Sequence, residues 1–343
     1  MFDVVTIGSV TRDAFFDVPS FPTIADKKTP SGKAFLLPLG DKLDVENVFF
    51  TIGGNAANAS VTFARQGLRA ACVGRRGSDL SGEAIVRRLT KEKIETKFLS
   101  ADKQLPTSYS VLLVQDGERT ILNYHGASNH FGIREVPLPK LKSAWWYLSL
   151  AGESSRMFPT LVAWAVKNDI ALAFNPSGYH VARHRADILR LIKHISFLVL
   201  NEEEAAQLVG IPFSRPHEVF AALARRMGEG VVAVTNGNKG VTVCDGGRVY
   251  TAGIFKEKRL VDRTGAGDAF GSGFVAALIR QGARNKTTGA VTPQQIKEAI
   301  RIASANATSV VERYGATEGL LTRQALKHGR WKNLAVRASR LRG

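Results

Sequence analysis

Cysteine is nearly absent from this chain. Its two thiols, Cys72 and Cys244, stand far apart, each inside an apolar strand-like segment. That count excludes a disulfide framework and a cysteine-based zinc site, both of which need more thiols at closer spacing. Two core thiols in a reducing cytoplasm are the expected setting. No apolar run reaches the length of about 18 residues that a spanning helix requires, so no membrane partner is expected. The opening MFDVVTIGSV has no basic stretch ahead of a long apolar run and a cleavage site. It reads as a buried first strand rather than a signal peptide. No G-x-x-x-x-G-K-[ST] loop, G-x-S-x-G elbow or H-E-x-x-H helix occurs, and no dinucleotide fingerprint stands after an early strand. Those absences remove the Walker-type, serine-hydrolase, zinc-protease and oxidoreductase readings.

Acidic charge is also scarce. Against 47 Lys and Arg there are 30 Asp and Glu, a formal net charge of +17. Part of the excess is local: Leu320 to Gly343 holds seven Lys or Arg and no acid. Such a stretch is able to release counterions from nucleic acid or anionic lipid, and equally able to be a solvated terminal helix. Residues 322–343 are therefore expected as a basic C-terminal tail or helix, with nucleic acid not the expected partner. The scattered remainder suits polyanionic ligands steered by a positive field.

What the chain does contain is an ordinary globular balance, 44% hydrophobic and 22% charged. Short β-branched runs alternate with helical stretches, which predicts an α/β fold with a central, mostly parallel sheet covered on both faces. Strands are predicted at Val4–Ile7, Ala71–Val73, Trp145–Leu148, Ala171–Phe174, Phe197–Leu200 and Val231–Thr235. Helices are predicted at Asn55–Arg65, Ser81–Lys91, Phe158–Asn168, Glu202–Leu208, Ser214–Met227 and Pro293–Glu312. Two regions break the rhythm. Residues 14–51 are too long for an ordinary loop. Ser108–Tyr124 reads as a hairpin turning at Asp116-Gly117. Together, at about 14–51 and 106–125, they predict a small β-sheet lid on one large domain spanning 1–321.

The sharpest chemical signal is DRTGAGDAFGSGF, Asp262–Phe274, which leads into a helical pattern at Ala269–Ile279. Gly265 and Gly267 permit a tight turn whose amides converge at a helix N-terminus, a setting that favours negative charge. Asp268 follows in the first turn, suitably placed to take a proton from a hydroxyl attacking a phosphoryl group. GGNAANAS, Gly53–Ser60, opens another helix, where Asn55 or Asn58 is able to bond hydroxyls. Asp13 follows the first strand, at the edge where open α/β sheets bind ligands. NEEE, Asn201–Glu204, has the spacing of a capping box and also suits hydrated Mg²⁺. VTNGNKG, Val234–Gly240, is a glycine-bearing strand end suited to a nucleotide. Each motif has a structural explanation as well, as a capped helix or a turn.

In their order, GGNAANAS, NEEE, VTNGNKG and DRTGAGDAF resemble the ribokinase-like, or PfkB, family of carbohydrate and nucleoside kinases, from about Val4 to about Leu321. The resemblance implies an ATP-dependent phosphotransferase acting on a hydroxyl of a small sugar or nucleoside. It implies Asp268 as general base, with the amides of Gly265, Ala266, Gly267 and Asp268 as the anion hole. Asp13, Gly53, Gly54 and Asn58 match substrate-holding positions. Asn201, Thr235, Gly237, Gly240 and Asn306 match nucleotide positions. Glu204 is expected to organise Mg²⁺ through water, and Asp262 and Thr264 correspond to a K⁺ site found in some members. Arg263 departs from the commoner threonine. Lys27, Lys28, Lys33 and Lys42, with Arg12 and Arg119, are candidates for a phosphate on the acceptor, which would make the chain a sugar-phosphate kinase. Phe15, Phe16, Phe35 and Phe131 are candidates for a nucleoside base pocket. The competing class is a non-catalytic nucleotide- or nucleic-acid-binding protein on the same fold, which would have no use for Asp268. A lid-mediated homodimer is also expected, because a small sheet has edges and faces to cover.

Overall fold

The computed structural model describes residues 1–29, 32–115, 118–283 and 291–341. The chain opens with β1 (Phe2–Gly8), then leaves the core through β2 (Thr11–Asp17), a ribbon of β3 (Thr23–Ala25) and β4 (Lys33–Phe35), and β5 (Asn47–Gly53). It returns by helix α1 (Asn55–Arg65) to β6 (Ala70–Gly77), and by α2 (Leu80–Lys91) to β7 (Leu99–Asp102). A second excursion forms β8 (Tyr109–Gln115) and β9 (Glu118–Tyr124), and the short α3 (Gly126–Asn129) leads back. Then follow β10 (Ser143–Ser149), α4 (Phe158–Lys167), β11 (Ala171–Phe174), α5 (Gly178–Leu191) and β12 (Phe197–Asn201). Helices α6 (Glu202–Val209) and α7 (Pro216–Met227) connect to β13 (Val231–Thr235), β14 (Val241–Cys244) and β15 (Arg248–Ala252). The remaining elements are α8 (Ala266–Arg280), α9 (Pro293–Val310) and β16 (Val336–Arg340).

The main sheet runs β7-β6-β1-β10-β11-β12-β13-β14-β15-β16, parallel as far as β13 and antiparallel beyond. Alternate side chains point to opposite faces of a strand. Val5, Ile7, Trp146 and Leu148 therefore enter the core shared with Phe158, Val181, Leu208 and Leu223 of α4–α7. Their neighbours Val4, Trp145 and Tyr147 pack instead against Phe63, Phe274 and Ile300 of α1, α8 and α9. With helices on both faces the parallel strands are fully buried, which is why they read as apolar runs. Both cysteines are buried and unpaired. No helix among the described residues is long and apolar enough to cross a membrane.

The two excursions meet in a separate sheet, β5-β2-β8-β9, with β8 and β9 paired from Tyr109↔Tyr124 to Gln115↔Glu118. The predicted turn at Asp116-Gly117 lies outside the described residues. The region beyond Leu321 corrects the expectation of a tail or helix. Leu326 and Trp331 are buried, the Trp331 ring meets Phe255 edge-on at 5.3 Å, and Arg330 pairs with Glu312. So anchored, Val336 and Ala338 pair with Ala252 and Tyr250 as the last strand of the main sheet. Arg337 and Arg340 then stand exposed on that edge strand, where charge opposes further strand pairing.

Candidate active site

The chain runs from β1 to β6 and β7 on one side, then crosses to β10 on the other. Strand order therefore reverses at β1, and the carboxyl ends of the strands border a crevice there. Helix α8 opens at this level. Its N-cap, Gly265, has φ +79°, and a Cβ placed on it would lie 2.4 Å from Ala316 Cβ. Only glycine takes this backbone turn without both strain and collision. Gly267 faces open space. First-turn amides of a helix lack intrahelical acceptors. One of the four expected donors is partly committed, since Ala266 N turns back to Arg263 O at 3.4 Å.

Asp268 is buried beside these amides. Its Oδ2 accepts from Asn58 Nδ2 of α1 at 2.9 Å, and its Oδ1 accepts from Asn175 Nδ2 at 3.0 Å. Burial pushes its pKa up to about 6, against the pull of the two amide donors. A carboxylate so placed is ionised at neutral pH yet basic enough to take a proton. Asn175, the residue after β11, belongs to no recognised motif. The available signal was its place at the carboxyl end of a parallel strand, shared with Asn201 and Thr235.

Asp13 is also buried and likewise pushed up to about 6, first by burial and secondarily by Asp262. Hydrogen bonds from Thr11 and Ser110 and the charge of Arg12 oppose the shift. The lid pairing puts Asp13, Phe15 and Arg119 on the inner face and Arg12 and Phe16 on the outer. Gly53 pairs with Thr11, and a Cβ on it would fall 2.0 Å from Asp13 Oδ2. Gly54, at φ +87°, passes 2.5 Å from Ser9 O by the same measure. Gly53→Ala is thus expected to push the Asp13 carboxylate out of its place. On the phosphotransferase reading that the resemblance implies, the acceptor KM should rise by about tenfold or more, at the scale of a lost hydrogen bond to a charged group, with the KM for ATP little changed; steady-state kinetics in both substrates checks this.

Of the lid cations named above, Arg119 reaches the core, its Nε 3.9 Å from Asp262 Oδ1 and buried without a hydrogen bond. Arg12 instead donates to Thr51 O and lies over the Phe50 ring. Lys27, Lys28, Lys33 and Lys42 are exposed on the outer part of the lid. The aromatic candidates separate in the same way. Phe15 meets Tyr314 at 6.2 Å beneath the lid. Phe16 and Phe35 pack on its other side with Val18 and Phe21. Phe131 is a residue of the main core.

At the carboxyl ends of β12 and β13, Asn201 Oδ1 accepts from Glu204 N and Glu204 Oε2 from Asn201 N, a reciprocal capping box. Burial raises the Glu204 pKa and the charge of Asp268 adds to it, while the Asn201 amide lowers it. Glu204 is thus raised in part by the like charge of Asp268, a setting that a cation relieves. Thr235 donates to Leu200 O, and Gly237 and Gly240 both have positive φ. Asn306 does not face this side. It is 1% exposed, donates to Ala269 O and has its Oδ1 bonded by Leu321 N, tying α9 to α8 and to the chain beyond. Asp262 accepts from Thr264 N, Thr264 Oγ1 and Gly315 N. These donors make Asp262 a brace between the turn before α8 and the segment around Gly315. Thr264 Oγ1 donates its proton in a hydrogen bond to Asp262 and keeps its lone pairs, and Asp262 Oδ2 accepts a single bond at 3.4 Å, so both side chains retain acceptor capacity beside the turn.

An open, mostly parallel sheet with a buried carboxylate at a glycine-turned helix N-terminus, beside a separate small β-sheet, defines an α/β protein. The chain belongs to the pfkB family carbohydrate kinases, whose profile matches residues 1–323. It is similar to a ribokinase of Haemophilus influenzae, 26% identical over 327 residues, 94% of this chain and 96% of that one. A nucleoside kinase of Methanothermobacter thermautotrophicus is 29% identical over 277 residues, 77% and 79% of the two chains. Among solved structures, the ribokinase of Arabidopsis thaliana complexed with ribose and ATP shares the fold, with a TM-score of 0.74, 20% identity and coverage of 97% and 99%.

Proposed function

We propose that the protein transfers the γ-phosphoryl group of ATP to a hydroxyl of a small sugar or nucleoside, with Asp268 as general base. The observation that carries this reading is the buried Asp268 carboxylate, held by two amides at the N-terminus of α8. In the proposed reaction Asp268 takes the acceptor's hydroxyl proton as its oxygen attacks the γ-phosphorus. The bond from phosphorus to the β–γ bridging oxygen breaks, and ADP leaves. Charge on the phosphoryl oxygens is met by the first-turn amides of α8, preorganised donors that need no reorientation. Asp13 and Asn58 hold acceptor hydroxyls, and Asn201, Thr235, Gly237 and Gly240 border the nucleotide. Asn201 and Glu204 are the residues that would hold hydrated Mg²⁺, whose contribution when bound is to screen phosphate charge. The two similar kinases named above, one for ribose and one for nucleosides, support the acceptor class.

The test is ADP release from MgATP with free ribose, fructose, adenosine, cytidine, inosine and a set of sugar phosphates. The sugar phosphates are included because Arg119 stands on the inner face of the lid with its Nε free of a hydrogen bond and paired only at 3.9 Å with Asp262. Turnover with one acceptor, lost in Asp268→Asn, establishes the reaction. ATP binding with no turnover on any acceptor sinks it in favour of the non-catalytic reading.

The outer face of the lid supports the second part of the reading, a homodimer. Val48, Phe50, Leu122 and Tyr124 share that face by register, with Phe50 53% and Leu122 55% exposed. Four large apolar side chains on one face of a small sheet mark an interaction surface. Sedimentation at micromolar concentration is expected to show a dimer that Phe50→Asp with Leu122→Asp converts to monomer. A monomeric native chain would exclude it.

A further inference from the structure

Asn175 lies outside every motif, yet the local sequence holds it in place. Pro176 restricts it to extended backbone, and Ser177 caps α5 directly behind it. Its N–H donates to Leu148 O at 2.9 Å, continuing the β10–β11 ladder past the end of β11. The side chain is thereby fixed at the carboxyl edge of the sheet, where Nδ2 donates to Asp268 Oδ1. Asn58 Nδ2 takes the other oxygen from the opposite side. Below them Tyr147 is fully buried, and a Cβ on Gly271 would lie 2.6 Å from its hydroxyl, so α8 is seated tightly on β10 at this level.

We infer that Asn175 is a positioning residue for the phosphoryl transfer: with Asn58 it clamps both oxygens of Asp268, fixing the direction of the base and keeping it ionised. This rests on the reading of Asp268 as the base. One N–H on each oxygen opposes rotation of the carboxylate, and donors to a carboxylate favour its charged form. The other titratable groups that face Asp268 are Tyr147 from β10 and Glu204 from α6. Burial holds the Tyr147 phenol far above its usual range, so it stays neutral where Asp268 titrates. Glu204 bears the same sign as Asp268 and cannot substitute for a lost donor.

The test uses the full chain labelled with ¹³C at aspartate carboxyls, the Asp268 signal being the one missing from Asp268→Asn. Asn175→Leu is expected to move its titration midpoint upward by about one to two pH units, the scale of one hydrogen bond to a charged group. Asn175→Ser, which shortens the donor with less change of packing, should move it the same way and serves if the leucine variant does not fold. With MgATP and ribose as probe acceptor, the acid limb of the rate should move with the midpoint, while the KM for MgATP stays within about threefold, because the lost contact is not to nucleotide. An unmoved midpoint in a folded variant, or rates lowered equally at every pH, overturns the inference. If Asp268→Asn keeps its turnover, the base assignment itself fails. If that variant is inactive and the Asn175 midpoint is unmoved, only the role of Asn175 fails.

Discussion

Asp268→Asn is expected to lower kcat by about 10²–10⁴-fold, the range of a general base, and at neutral pH to raise the melting temperature. The two effects have one cause. The buried carboxylate titrates near 6 in the folded chain against 3.8 for the unperturbed group, chiefly because burial disfavours its charge. A raised folded pKa adds stability that is fully present below the unfolded value and lost as pH rises through the folded one. At neutral pH the native protein therefore bears the full cost of a buried anion, about 2–3 kcal/mol for a shift of this size. The asparagine variant removes that cost but sets an amide N–H against the donors of Asn58 or Asn175, so part of the gain is returned. Melting curves of both proteins across pH should converge toward acid and separate between about pH 4 and pH 6. The native kcat/KM should fall on the acid side with an apparent pKa near 6. A variant that is inactive but no more stable at neutral pH would mean that Asp268 is solvated in the free protein. A variant that keeps its turnover would mean that another group takes the proton.

Gly265→Ala is expected to act in the opposite sense on stability and in the same sense on rate. At φ +79° any side chain is strained, and the new methyl would meet Ala316 Cβ and Cα at 2.4 and 2.7 Å, atoms that cannot swing aside. A loss of about 2 kcal/mol or more follows from strain alone. Relief requires α8 to shift at its first turn, which on the proposed reading moves the amides away from the phosphoryl oxygens. Loss of one such donor costs about 10²–10³-fold in kcat. Gly267→Ala is the contrast, because nothing lies within 4 Å of its new methyl. It should leave the melting temperature near native while impairing ATP turnover, since on the proposed reading the methyl would crowd the first-turn amides that meet phosphate. Calorimetry with single-turnover kinetics separates the pair; equal stability of the two variants would refute the packing account of Gly265.

The sheet was legible because its strands are buried on both faces and so stand out as β-branched and aromatic runs. The lid was legible because two stretches without helical rhythm interrupt the alternation. The basic end misled because seven cations without an acid resemble a solvated segment. Its anchors, Leu326 and Trp331, are too few to show an apolar period. Asn306 misled differently. The resemblance put it among the nucleotide positions, but its place on α9 turns its side chain to Ala269 and Leu321.

By itself the sequence determined what local chemistry dictates: the strand–turn–helix units, the glycine turn at Gly265, the capping box of Asn201 and Glu204, and the single acid in the first turn of α8. These depend on φ preferences and on hydrogen bonds spanning a few residues, and both are written in neighbouring side chains. The tertiary structure decided which groups meet that acid. Asn58 and Asn175 lie 210 and 93 residues from Asp268 along the chain. They converge because strand order places the end of β11 and the start of α1 on either side of α8. The same packing turned Asp13 and Arg119 inward and Arg12 outward. Burial also raised the Asp268 pKa, because a carboxylate's pKa answers to the space that closes around it and not to the residues beside it in sequence.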